Sequence, residues 1–247
     1  MSQGTGNIGR VMLSKLKEAK EFDLRVITRL DSTKAESPGV ETVKVDYESQ
    51  DSLVGVIRGC DIVVNALSVM ANQAHYAVLD AVIEAQVPRY YPSDWGSHPP
   101  AEGRALPLLQ AIPWIDTRRR INYLVETAAI EGKLTYTSLK GGAWLETVLK
   151  LPVMFSLPER KFLMHKYPDT DYSYSSKDMY AEALLNALRL PDEETKNRYF
   201  EVELYRVSQR RTLELLRQAY PDIEFEQVSA EKKSGSEKLC RRCKPVR

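Results

Sequence analysis

The run CDIVVNALS, Cys60 to Ser68, constrains the fold more than any other stretch of this chain. Its apolar residues follow one another almost without alternation. A strand formed there has to be buried on both faces, as happens when a parallel strand lies between layers of helices. Its surroundings supply such layers. Ile8 to Lys20 carries Ile8, Val11, Met12 and Leu16 at helical spacing, with lysines between them. LRVITR (Leu24–Arg29) is a short β-branched run, and VETVKVD (Val40–Asp46) alternates like a strand. SQDSLVGVIRG reads as a helix capped by Ser49 or Asp51 and closed by Gly59. Ala71 to Gln86 is helical, with Ala77, Val78, Ala81, Val82 and Ala85 inside. VPRYYPSDWG gives a strand that stops at Pro92, Arg118 to Gly132 a helix, and KLTYTSLKGG a further strand. Strands alternating with helices in this way predict an α/β fold with a parallel sheet and crossover helices.

From about Ala143 the alternation loosens. KFLMHKYPDTDYSYSS reads as short strands and turns, Ser175 to Leu190 as a helix capped by Ser175 or Ser176, NRYFEVE as a strand, and Arg210 to Ala219 as a helix. The expected division is residues 1–142 as the sheet domain, 143–228 as a smaller substrate-side region interleaved with the sheet, and 229–247 as a polar, basic, disordered tail.

Gly4, Gly6 and Gly9 form G-x-G-x-x-G at the mouth of the first helix. Glycines let backbone approach a pyrophosphate closely, and a helix N-terminus adds N–H donors and partial positive charge. Thr5, Asn7 and Ile8 lie in the same turn, and a strand follows at the distance a dinucleotide fold requires. That next strand ends in Arg29, where NAD-preferring folds place an acid for the ribose 2′-OH. A guanidinium instead pairs with a 2′-phosphate, with Lys34 in support, so the coenzyme expected is NADP(H). Asp46 closes the third strand near the expected adenine, and Asn65, Ala66 and Leu67 close the fourth beside the expected nicotinamide ribose.

With a formal net charge of +1, nothing in bulk charge points to a nucleic-acid or membrane partner. No apolar run reaches the roughly 18 residues of a membrane span. Three cysteines make no disulfide framework, which fits a reducing cytosol.

GTGNIGR, VITR, VKVDYESQDSLVGVIRGCDIVVNALS, AVIEAQVPRYYPSDWG, LTYTSLKGG and KNRYFEV, in this order and spacing, resemble the NmrA-like and isoflavone-reductase-like branch of the atypical short-chain dehydrogenases, its fungal members most. The resemblance runs from residue 4 to about residue 215. It implies a Rossmann-like doubly wound parallel sheet, NADP(H) binding and a small C-terminal α+β substrate region. It further implies one of two roles. One is reduction of a small, aromatic or conjugated substrate. The other is a catalytically silent, NADP-sensing protein, cytoplasmic or nuclear, that binds a regulatory protein partner.

The sequence departs from that pattern twice. Family members open with an apolar strand and G-x-x-G-x-x-G; here Gln3 stands at the first glycine and Met1, Ser2 and Gln3 alone precede the turn. The strand would be central in the order 3-2-1-4-5-6. Its absence is expected to remove two ladders of hydrogen bonds, expose the neighbours' apolar faces and deprive the glycine turn of its anchor. An incomplete gene model, a splice variant or a decayed, nonfunctional copy would each explain it. The second departure is catalytic. The family's reductases carry a general acid–base lysine on the helix after the strand that here precedes Pro92 and Ser93. The matching stretch here is WIDTRRRINYLVE, with Arg118 nearest that place. Arginine stays protonated, so it holds an oxygen rather than shuttling a proton.

Other residues have two readings each. Ser93 and Asp94 follow the fifth strand, at the sheet edge where ligands bind, and either face the substrate or serve the turn after Pro92. Tyr136 and Lys140 form Y-x-x-x-K, a catalytic pair on a helix but a chance match on a strand. Trp95, Trp114 and Trp144 line a pocket or the core. His75, His98 and His165 lack a metal-ligand spacing, so no metal is expected; His165 is a pocket candidate. Cys240 and Cys243 form a lone C-x-x-C, a poor zinc site.

Overall fold

The structure, a computed structural model, describes residues 4, 6–33, 37–96, 113–149 and 155–229. The chain divides into two compact units, residues 1–142 with 175–202 and residues 143–174 with 203–247.

The first unit alternates helices and strands in the expected order. These are α1 (Asn7–Ala19), β1 (Arg25–Arg29), β2 (Glu41–Val45), α2 (Gln50–Ile57), β3 (Ile62–Val64), α3 (Asn72–Glu84), β4 (Arg89–Tyr91), α4 (Pro113–Ile130) and β5 (Thr135–Gly141). Numbering along the chain, the same unit later gains α6 (Lys177–Arg189), α7 (Asp192–Thr195) and β10 (Arg198–Val202). The apolar stripe of α1 is buried at Ile8, Met12, Leu13 and Leu16, and Lys20 closes the helix in the left-handed region at φ 56°. Ser49 caps α2 by accepting the Ser52 N–H at 3.3 Å. Ser176, rather than Ser175, caps α6 through the Met179 N–H at 3.0 Å; the buried Ser175 hydroxyl instead donates to the Val202 carbonyl. Helix α4 begins five residues before the expected Arg118, with Pro113 at a first helical position that tolerates its missing N–H.

All strand pairs of this unit are parallel. One ladder joins β1 to β2, with Ile27 opposite Val43; the other runs β10-β5-β4-β3. Among the described residues no ladder joins β1 to β3. The fold is therefore the α/β parallel arrangement expected, with a break in the hydrogen bonding between β1 and β3 among the described residues.

The expected exposure of apolar faces is corrected by the structure. Val26, Ile27, Val63 and Val64 are buried, and Ile27 and Val63 belong to one core with Leu53, Val82 and Ile121. Strand side chains project above and below the sheet, onto helices. A break within the sheet plane thus removes backbone bonds while leaving those contacts in place. Gly141 shows how tightly β5 and β10 meet: a Cβ there would stand 1.9 Å from the Val202 carbonyl oxygen.

The second unit is α+β. It holds β6 (Ala143–Trp144), α5 (Leu145–Val148), β7 (Phe155–Ser156), β8 (Lys161–Met164), β9 (Asp171–Ser175), β11 (Tyr205–Ser208), α8 (Gln209–Ala219) and β12 (Glu226–Ser229). Two three-stranded sheets, β11-β9-β6 and β12-β8-β7, accompany a small core of Phe155, Phe162, Leu213 and Phe225. The fully buried Gln209 accepts the His165 N–H at 2.9 Å and donates to the Leu163 carbonyl at 3.3 Å. The His165 side chain is exposed. Cys240 and Cys243 and most of the proposed tail lie outside the described residues, as do Thr5, Lys34, His98 and the Trp114 side chain.

Candidate functional site

Two places in the first unit carry candidate chemistry. The first is the N-terminus of α1. Gly6 occupies its N-cap with extended backbone, no side chain caps the helix, and its first turn holds no acid. Among the described residues, the first-turn N–H groups, including those of Asn7 and Ile8, therefore meet no capping side chain, and the turn itself carries no acid. Gly4 packs on β1: a Cβ there would meet Val26 Cγ2 at 2.8 Å. Lys177 Nζ donates to Asn7 Oδ1 at 2.9 Å, bringing a cation to the helix mouth. On β1, the buried Thr28 Oγ1 has no hydrogen-bond partner among the described residues. An uncapped helix mouth, a backbone cradle and a cation fit the pyrophosphate of a dinucleotide.

The remaining coenzyme candidates fall into three groups. Arg29 ends β1 with its side chain 62% exposed and Nε 3.5 Å from Asp31 Oδ1. Asp46 follows β2 and accepts the Glu48 N–H at 2.9 Å, a turn role before α2. Asn65 is fully buried and internally engaged. Its Nδ2 donates to Tyr90 Oη at 2.8 Å, its Oδ1 accepts the Leu67 N–H at 3.0 Å, and its carbonyl accepts Trp95 Nε1–H at 2.8 Å. With Ala66 and Leu67 also buried, this segment offers a ligand its backbone more readily than its side chains.

The second place lies where β3 and β4 end. Ser93 donates to the Leu67 carbonyl at 2.8 Å, tying the two strand ends together. Beside it opens a pocket lined by Val69, His75, Ser93, Thr117, Arg118, Ile121 and Asn122. Arg118 reaches it from the second turn of α4. Behind the pocket sits Asp94, fully buried. Its Oδ2 accepts Ser138 Oγ–H at 2.9 Å and Asn122 Nδ2–H at 3.2 Å, with Lys140 Nζ at 3.7 Å. Its Oδ1 lies 3.6 Å from Arg118 Nε. Of the three sequence candidates for chemistry, Ser93 and Arg118 share the pocket wall, and Asp94 stands behind Arg118.

Three members of this constellation escaped sequence reasoning as site residues: His75, Asn122 and Ser138. Lys140 was visible as half of Y-x-x-x-K. On β5, however, Tyr136 and Lys140 stand four residues apart along a strand, about 13 Å at the usual rise. Tyr136 packs against the hydrophobic core instead. The period of two was the available signal, since it puts Ser138 and Lys140 on one face, toward Asp94. Trp95 is a core residue, edge-on to Tyr180 with ring centroids 6.4 Å apart.

His75 is 6% exposed, with Nε2 3.0 Å from the Ser68 carbonyl. Burial lowers its pKa most, Arg118 lowers it further, and the Ser68 carbonyl opposes both. Burial also raises the Tyr90 hydroxyl well above the ordinary tyrosine range, keeping it a neutral partner for Asn65.

A profile of the NAD(P)H-binding family matches residues 4–145, from the glycine turn through β5. The chain belongs to that family. Among its relatives, the oxidoreductase aprR of Aspergillus flavus is 27% identical over 214 residues, 86% of this chain and 70% of the relative. Isoeugenol synthase 1 of Clarkia breweri is 28% identical over 145 residues, 54% of this chain and 44% of that enzyme. A crystal structure of an isoflavone reductase superposes with a TM-score of 0.72 at 20% identity, covering 94% of this chain and 78% of that one. The complex of AtPrR2 with NADP+ and (+)-pinoresinol gives the same score at 19% identity, covering 92% and 77%. The curated and structural relatives of this NAD(P)H-binding chain thus include an oxidoreductase, an isoflavone reductase homolog and an isoflavone reductase. Among its described residues no helix is long and apolar enough to cross a membrane.

Proposed function

We propose that the chain is an NADP(H)-dependent reductase of a small, oxygen-bearing aromatic or conjugated substrate. The observation that carries this reading is the pocket of Ser93, His75 and Arg118 at the ends of β3 and β4, in the same unit as the uncapped glycine turn of α1. Ligands of open parallel sheets bind at the carboxyl ends of strands, where this pocket lies. Names among the relatives support the substrate class, since isoflavones and isoeugenol are oxygenated aromatics.

In this reading the backbone from Gly4 to Gly9, with Lys177 beside Asn7, holds the pyrophosphate, and Arg29 selects the 2′-phosphate. NADPH, when bound, supplies a hydride. Arg118 holds the substrate oxygen. A guanidinium is a donor with no acceptor, so it stabilises negative charge growing on that oxygen rather than shuttling a proton. Asp94 positions Arg118 from behind.

The test is NADPH oxidation across a panel of ring-conjugated ketones and enals. Arg118→Ala is expected to lower kcat/KM by about 100-fold, the scale of losing one charge-stabilising donor, while leaving NADPH affinity within about twofold. A chain that binds NADPH yet reduces no panel member would contradict the reading.

A further inference from the structure

We propose that His75 is the proton donor of the pocket. The inference rests on the reductase reading above. It assigns the step that Arg118 cannot perform.

Hydride delivery to an unsaturated carbon moves an electron pair onto the attached oxygen, which then requires one proton. The described pocket residues offer few sources. A guanidinium is a poor proton shuttle, which rules out the arginine side chain. The Ser93 hydroxyl proton is directed to the Leu67 carbonyl. Thr117, a hydroxyl, and Asn122, an amide, do not titrate in the working range. Among the described lining residues, His75 is the one whose ordinary titration falls there.

Its geometry suits the role. His75 sits on the first turn of α3, almost fully buried, within the pocket wall. A carbonyl can only accept, so the Ser68 contact at 3.0 Å fixes the proton of Nε2. Nδ1 is then the nitrogen that gains and loses a proton, while the tether holds the ring still. The groups facing it are the Ser68 carbonyl from the β3–α3 connection, the Ser93 hydroxyl after β4, and Arg118 from α4 with Asp94 behind. Burial and Arg118 together make the imidazolium a stronger acid than free histidine.

The step balances. The substrate carbon receives the hydride and its two electrons, and the carbonyl π pair moves to oxygen. The Nδ1–H bond breaks, its proton goes to that oxygen, and a water proton later restores the imidazolium. The substrate is reduced and NADPH is oxidised to NADP+.

The experiment compares the full chain with His75→Gln, whose side-chain amide can still donate to the Ser68 carbonyl but cannot titrate. We expect His75→Gln to keep wild-type NADPH affinity and to lose about 100-fold in kcat, the usual scale of general-acid catalysis. Wild-type kcat rises as pH falls through the His75 titration, and this limb disappears in the variant. NMR of the imidazole, read without turnover, shows protonation below the ordinary 6.5. Should His75→Gln fail to fold, Arg118→Gln serves instead, moving the imidazole titration and the kinetic limb upward together. Wild-type kcat and pH profile in His75→Gln, an imidazole that stays neutral down to pH 4, or a limb that ignores Arg118→Gln would each overturn the proposal while leaving the reductase reading intact. A wild-type chain that reduces nothing while binding NADPH removes the reductase reading, and the proton donor with it.

Discussion

Arg118 Nε lies 3.6 Å from Asp94 Oδ1, and the carboxylate is fully buried while the guanidinium forms part of a pocket wall. One end of this pair is thus fixed in the protein and the other lines the pocket. The same carboxylate holds Lys140 at 3.7 Å and accepts from Ser138 and Asn122.

Asp94→Asn keeps an acceptor for Ser138 but removes the negative charge that two nearly buried cations share. Breaking such a pair from one side typically costs about 3–5 kcal/mol. We expect a loss near the lower end of that range by chemical denaturation. Adding Lys140→Met should recover part of it, because one of the two cations is then gone. Unchanged stability in Asp94→Asn would show that the cluster contributes little to the fold.

Gly4→Ala places a methyl 2.8 Å from Val26 Cγ2, at the short, stiff side chain of a fully buried residue. Overpacking of this kind costs about 1–3 kcal/mol, and the turn must shift to relieve it. The variant should melt lower and bind NADPH more weakly. Gly4→Ala with Val26→Ala should be more stable than Gly4→Ala alone. If the second substitution only adds to the damage, the contact is not what requires glycine.

His75 also sets a pH dependence of stability. Its folded pKa is depressed below 6.5, so as pH falls through 6.5 the unfolded chain takes up a proton that the folded chain does not. Stability is therefore full above 6.5 and falls between there and the folded pKa. The His75 share of the slope is at most about 1.4 kcal/mol per pH unit. Urea denaturation from pH 4.5 to 8, compared with His75→Gln, reads this directly. Identical slopes in the two proteins would contradict it.

Much of the fold was legible in the sequence because burial on both faces leaves a direct mark. CDIVVNALS could be little other than a covered parallel strand, and it became β3 with its flanking turn. The glycine turn was legible for a similar reason, since Gly4 answers to Val26 and Gly6 to the helix mouth. The pocket was less legible. Ser93 and Arg118 were found from their places after a strand and on a helix. His75, Asn122 and Lys140 come from three different elements, and nothing local in the sequence ties them together. His75 in particular sits in a helix whose apolar spacing reads as ordinary core. The expected exposure beside the break in the sheet failed because it treated backbone pairing and side-chain cover as one thing. They lie in perpendicular directions, and Val26 and Val63 keep the second without the β1–β3 ladder.

We propose that α1 and Arg29 together hold NADP(H). Titration calorimetry with NADPH and NADH, on the chain as it stands and on Arg29→Ala, tests it most directly. We expect tighter binding of NADPH than of NADH, and a loss of about tenfold for NADPH in Arg29→Ala with NADH little changed, the size of one exposed charge-assisted phosphate contact. Equal affinity for the two coenzymes, or an NADPH affinity that ignores Arg29→Ala, would contradict it.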